Sequence, residues 1–212
     1  MGRMELRETV RDIRAVRALA RRLDPEPEHC FQVCRYALQL FDGLMALHGL
    51  GPRERDVLEA AALLHDTGHV REMRRHHKHS LDIILEQQLP GFTPGEHRMV
   101  ACVARYHRKA FPSPSHRVYA DLPETARAAV TRLAAMLRVA DGLDRGHMAT
   151  ARGIAARVGT GRVCLTVTQR RPCGIDIDGA LRKAALFESC FGRRLEIRGV
   201  TLNEEEDRDE PL

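Results

Sequence analysis

Leu6, Val10, Ile13, Val16, Ala20 and Leu23 recur at helical spacing with Arg and Glu between them, which predicts an amphipathic first helix. Pro25 and Pro27 end it. A second helix is expected from Glu28, with Val33, Ala37, Leu40, Phe41 and Leu44 on its inner face, closing at Gly49 and Gly51. Pro52 opens the third, whose Val57, Leu58 and Ala61 to Leu64 form the most apolar stretch of the chain, ending at Gly68. Helical patterns continue over residues 79–88 and 96–108, separated by the Pro-Gly loop at 90–95, and the proline-containing stretch from Phe111 to Pro123 reads as a surface loop. From Glu124 to Asp144 the helical period returns, with Leu133, Met136, Leu137 and Val139 among its apolar positions.

After this helix the period changes. Arg162 to Thr168 alternates as a strand, Asp178 to Phe191 has helical spacing, and Arg194 to Val200 alternates again. The fold class expected is mainly α: a helical bundle over residues 1–157, a small strand-helix-strand appendage over 158–202, and an acidic disordered tail over 203–212.

Composition narrows the class without deciding it. Hydrophobic residues at 43% and charged residues at 30% are ordinary for a globular protein, and aromatics at 4% leave the core to Leu, Ala, Val, Ile and Met. A net charge of +5 favours an anionic partner such as a phosphorylated small molecule or polyphosphate. Nucleic acid is disfavoured, because Glu and Asp interleave with the Arg residues of the first helix. The six cysteines form no C-x-x-C pair and read as reduced thiols. With neither a signal peptide nor a membrane-length apolar run, the chain is expected in the cytoplasm, away from membranes. A homodimer is left open.

The chemistry-bearing residues lie at helix ends. The stretch LLHDTGH sets His65 beside Asp66 where the most apolar helix stops, and a carboxylate buried there costs several kcal/mol unless a counter-charge meets it. A divalent cation is the most compact such charge. His29 in the first turn of its helix and Asp141 in RVADGLDRGH extend the set to two His and two Asp from three helices, a mixed donor set that suits Mn, Fe, Mg or Zn with positions open to water.

The order H…HD…D resembles the HD superfamily of metal-dependent phosphohydrolases. The strings AALLHDTGH, HHKHS, PGF, RYHRK, LRVADGLDRGH and ALFESCFGRRLEI look more particularly like the C-terminal HD region of the Ppx/GppA family of exopolyphosphatases and guanosine pentaphosphate phosphohydrolases. The resemblance implies His29, His65, Asp66 and Asp141 as ligands of one or two divalent ions, with His65 and Asp66 central to catalysis and a metal-activated hydroxide attacking a phosphoester, nucleotide or polyphosphate-like substrate. It also implies His79 and His107 as further ligands of a binuclear centre, with Asp66 bridging; His77 and His76 compete with His79 for that role. Lys78, Arg108, Lys109 and Arg145, and alternatively Arg138, stand beside the implied ligands and are candidates to bind phosphate. In the family, polyphosphate hydrolysis is attributed to N-terminal domains of actin-like type, for which this chain has no glycine-rich phosphate loop. A non-catalytic module that binds polyphosphate or a guanosine polyphosphate is therefore the alternative to an enzyme.

Overall fold

The computed structural model describes residues 12–202, so Leu6 and Val10 of the first predicted helix and the acidic tail predicted to be disordered lie outside the described residues. Helix α1 (Ile13–Leu23) starts where the Asp12 carboxylate accepts a hydrogen bond from the Ala15 amide at 3.0 Å, an N-cap of the usual kind. Proline at the first turn begins α2 (Pro27–Gly43), α4 (Pro52–Leu64) and α6 (Pro94–Arg105), where its fixed φ and missing N–H do no harm. Between them lie the four-residue α3 (Met45–His48) and α5 (His76–Glu86). At α6 Thr93 accepts from the Glu96 amide at 3.2 Å while Glu96 accepts from the Thr93 amide at 2.9 Å, a reciprocal cap. The predicted loop from Phe111 to Pro123 contains a short helix, α7 (Arg117–Ala120), and α8 (Glu124–Gly142) follows.

The core is a ring of four helices. α2 packs on α4 and α8, and α6 closes the ring by packing on α4 and α8 from the other side. The apolar run of α4 is what makes this possible: Leu58, Leu63 and Leu64 are fully buried, each contributing roughly 1.5–3 kcal/mol through burial. α1 lies over α4, and α5 covers α6.

The C-terminal segment differs in detail from strand-helix-strand. A strand that the sequence pattern does not announce, β1 (Ala151–Val158), precedes β2 (Arg162–Gln169), and the predicted helix is two, α9 (Gly174–Arg182) and α10 (Ala185–Phe191), before β3 (Arg194–Thr201). β1 and β2 pair antiparallel through a turn in which Gly161 has φ of +75°, and β2 pairs parallel with β3 across the α9–α10 crossover. β1 is hidden in sequence because only Ala151 at its start is buried, so its apolar and polar positions do not alternate. It starts at Ala151, ahead of the 157/158 boundary expected from the pattern. α2 anchors this strand: Gln32, Arg35 and the Tyr36 hydroxyl all donate to the Ala151 carbonyl, the last at 2.7 Å. The molecule is thus mainly α with a small C-terminal three-stranded sheet. Among the described residues no helix is long and apolar enough to cross a membrane. All six cysteines are free thiols, four of them buried.

Candidate functional site

The His65-Asp66 doublet sits where α4 gives way to the single 3-10 turn Thr67–Val70. Buried side chains hold the change of direction. Ser80 of α5 donates to the His65 carbonyl at 2.6 Å and accepts from the Gly68 amide at 2.9 Å, and the Thr67 hydroxyl donates to the Leu64 carbonyl at 2.9 Å. Gly68 is required by space: a Cβ there would lie 2.0 Å from the His76 carbonyl oxygen. The turn and the start of α5 are therefore one packed unit.

Four imidazoles converge on Asp66 from four helices or helix ends. Asp66 turns its Oδ2 to His29 Nε2 at 3.8 Å and His65 Nε2 at 3.6 Å, and its Oδ1 to His76 Nε2 at 3.2 Å and His107 Nε2 at 3.5 Å. Each ring is held from behind. His65, His76 and His107 place Nδ1 on the carbonyls of Ala62, Met73 and Ala104 at 2.7–2.8 Å, and His29 places Nδ1 on Asp144 Oδ2 at 2.8 Å. A carbonyl can only accept, so in His65, His76 and His107 these bonds assign the proton to Nδ1 and leave Nε2 as the atom with the lone pair. That is the arrangement of imidazoles poised as metal ligands, oriented by partners behind them.

The electrostatics agree with the geometry. Burial pushes His76 down to about 4 and His107 well below the ordinary histidine range, outweighing the pull of Asp66, so both rings are neutral at pH 7. For His29 burial opposes the charged form, but Asp141 and Asp144 overcome it and raise the group to about 10. The surroundings of His29 thus favour a positive charge, which a proton or a cation can supply. Against the burial that would raise it, Asp66 is held below the usual carboxylate range by His65, His107 and His76; Asp141 is likewise held low by Lys183 and His29.

His65 Nε2 and Asp66 Oδ1 are buried and make no hydrogen bond, a costly condition for a nitrogen lone pair and a carboxylate oxygen. His29, His65 and Asp66 offer ligand atoms all within 4.8 Å of one another, and Asp66, His69 and His76 form a second such set. These donor types could hold a divalent cation: His65 Nε2 with Asp66 Oδ2 on the side of the first set, and the orphaned Asp66 Oδ1 on the side of the second.

His29, His65, Asp66, His107 and Asp141 come together as the sequence expectation had them, whereas His79 does not. Its Nε2 lies 3.3 Å from Glu72 Oε2 on the outer side of α5, and His76 takes the place beside His107, with the two Nε2 atoms 3.1 Å apart. The reason is where the helix starts. With α5 beginning at His76, its inner face runs through His76, Ser80 and Ile84 at i+4 spacing, which turns His79 sideways. His77 is buried but away from the cleft lining. Lys78 is exposed on the same helix and Lys109 sits by Glu72, Arg74 and Arg75, so neither lines the cleft. Arg108 and Arg145 do. Arg138 is structural: it donates to the Tyr106 carbonyl at 2.9 Å and lies over the Phe111 ring, fixing the turn that carries His107.

The cleft above the cluster has a volume of about 570 Å³ and is open to solvent between His147, Arg108, Arg145 and Lys183. Four of the residues at or behind it were not singled out from sequence. Asp144 follows Asp141 by one turn, and His69 belongs to the LLHDTGH string, so both carried a local signal. His147, stacked on His29 at 4.0 Å, closes the RVADGLDRGH string, whereas Lys183, which donates to Asp141 Oδ2, is brought in by tertiary structure alone. Asp144→Asn removes the anionic acceptor behind His29 without changing its shape, and affinity for a divalent cation is expected to fall 10- to 100-fold. Calorimetric titration with Mn²⁺ measures it.

The helix ends thus gather four imidazoles around Asp66 at the base of one cleft, with Asp141 beside His29. The family model "Ppx/GppA phosphatase, domain III" matches residues 10–163, and the chain belongs to that family. It is also similar to two proteins named guanosine-5'-triphosphate,3'-diphosphate pyrophosphatase. That of Aeromonas hydrophila is 32% identical over 129 residues, 60% of this chain and 25% of the relative. That of Pseudoalteromonas translucida is 38% identical over 65 residues, 31% of this chain and 12% of the relative. The similarity thus spans a quarter or less of the length of these curated relatives.

Proposed function

We propose that this protein is a divalent-metal-dependent phosphohydrolase of the HD type, acting on a phosphoester, nucleotide or polyphosphate-like substrate. One observation carries this reading: four Nε2 atoms, each fixed by a bond from behind, surround both oxygens of a buried carboxylate that has no hydrogen bond on Oδ1. His29, His65, Asp66 and Asp141 would hold one ion, and Asp66, His76 and His107, with His69 at the edge, a second. Bound divalent metal supplies two things here, activation of water and neutralisation of phosphoryl charge.

The protein's own side chains supply the rest. Arg108 and Arg145 at the rim bind the anionic substrate and orient its phosphate towards Asp66. Asp144 keeps the proton of His29 on Nδ1, and the backbone carbonyls of Ala62, Met73 and Ala104 do the same for the other three rings. The name of these relatives makes guanosine 5'-triphosphate 3'-diphosphate a first substrate to test, beside tripolyphosphate and a generic aryl phosphate. Protein purified without added metal is expected to contain at least one equivalent of a transition metal by mass spectrometry and to turn over one of these. Metal content with no turnover anywhere in the panel would sink the hydrolase.

A second reading has its own observation. The matched model describes one domain of a phosphatase, and the similarity covers only 12–25% of the pyrophosphatases. On that reading the cleft binds a polyphosphorylated ligand without cleaving it, and tight binding of tripolyphosphate that survives intact is the expected result.

A further inference from the structure

Lys183 lies beyond residues 10–163, the span matched by the family model, on the segment that closes α9. Its Nζ donates to Asp141 Oδ2, and its side chain lines the same cleft as Arg108 and Arg145. This approach is built into the fold. Gly142 at the end of α8 and Gly179 in α9 bring the two backbones together so closely that a Cβ on Gly142 would lie 2.5 Å from Ala180 Cα, and one on Gly179 would lie 2.6 Å from the Gly142 carbonyl oxygen. Asp176, buried one turn earlier in α9, accepts from the Gly146 amide and from the Thr150 hydroxyl, each at 2.8 Å, which fastens α9 to the loop that carries Arg145.

Docking of α9 therefore does not need Lys183. The glycine contact and the Asp176 bonds already provide it, and a partly buried ammonium placed in addition costs desolvation. An ammonium has three N–H donors, of which Asp141 takes one. The other two belong to a side chain that lines the cleft together with Arg108 and Arg145. Three cations around one opening, with the carboxylates at its floor, form a wall suited to phosphate oxygens.

We infer that Lys183 is a phosphate-binding residue of this cleft, so that the C-terminal α/β segment is part of the site and not merely attached to it. This rests on the reading of the cleft as a metal and phosphate site. Lys183 holds Asp141 with one proton and a substrate phosphate oxygen with another, tying the carboxylate and the substrate to the same anchor.

The test uses the full chain loaded with Mn²⁺ and titrated with inorganic phosphate by calorimetry. Lys183→Met is expected to keep its bound Mn²⁺ and its melting temperature while losing roughly tenfold in phosphate affinity, the effect of one charge-assisted hydrogen bond. Lys183→Arg, which keeps the charge and donors, is expected to restore most of it and serves as the readout if the Met variant does not fold. Unchanged phosphate affinity in Lys183→Met, with or without a lower melting temperature, would show a structural ion pair and overturn the inference while leaving the hydrolase intact. Phosphate affinity as low in Lys183→Arg as in Lys183→Met likewise overturns it. A wild-type protein that retains no Mn²⁺ overturns the metal reading itself, and the inference with it.

Discussion

Asp66→Asn is expected to release bound divalent metal and to lower phosphoester turnover by at least about 10³-fold, the effect of removing a transition-state charge stabiliser together with its metal. Asparagine keeps the shape of the side chain but replaces one oxygen by an amide group that donates. Asp66 faces both halves of the imidazole cluster, with His29 and His65 on one oxygen and His76 and His107 on the other. A neutral amide there cannot bridge two ions, and its NH2 would point at lone pairs on one side only. The fold should survive, because the core ring of α2, α4, α6 and α8 is untouched. Mass spectrometric metal content, turnover and a thermal melt of the same preparation check all three parts. A variant that keeps its metal and its activity would remove Asp66 from the mechanism.

Gly68→Ala should do comparable damage without touching a donor atom. The added methyl would be 2.0 Å from the His76 carbonyl oxygen and 2.6 Å from the Ser80 amide, both backbone atoms of α5, so the helix has to move away. Overpacking of this kind costs about 3 kcal/mol, and here it also breaks the bond from the Gly68 amide to Ser80 Oγ and displaces His76 from Asp66. The expected result is a melting temperature lower by about 6–12 °C and weakened metal binding on the His76 side of Asp66. Chemical denaturation and a two-site Mn²⁺ titration separate the stability effect from the site effect. Unchanged stability would mean that the turn and α5 are not packed as described.

The helices were legible because their signals are local. Pro52 announces the first turn of α4, whereas Pro27 and Pro94, read as a breaker and a loop residue, lie in the first turns of α2 and α6; the apolar positions between Val57 and Leu64 require burial wherever the chain goes. The same local signals failed at α5. The run HHKHS is too polar to announce a helix, so the predicted start falls at His79, three residues late, and the preference for His79 over His76 and His77 came from the resemblance, which carries no helix phase. Strand β1 was missed for a related reason: a strand held by its backbone ladder to β2 and buried only at Ala151 need not alternate in its own sequence.

By itself the sequence marked Asp66, beside His65 at the end of the most apolar helix, as a carboxylate that an apolar environment makes expensive, and set His29 and Asp141 with it at helix ends; His107 entered only through the family resemblance. Only the tertiary structure decided which groups complete the set. His76 rather than His79, Asp144 behind His29 and Lys183 on Asp141 are choices of direction and distance, fixed by the phase of α5, the end of α8 and the glycine contact between α8 and α9. Residues 42 positions apart, such as Asp141 and Lys183, leave no periodic trace of each other in the chain, because backbone packing brings them together.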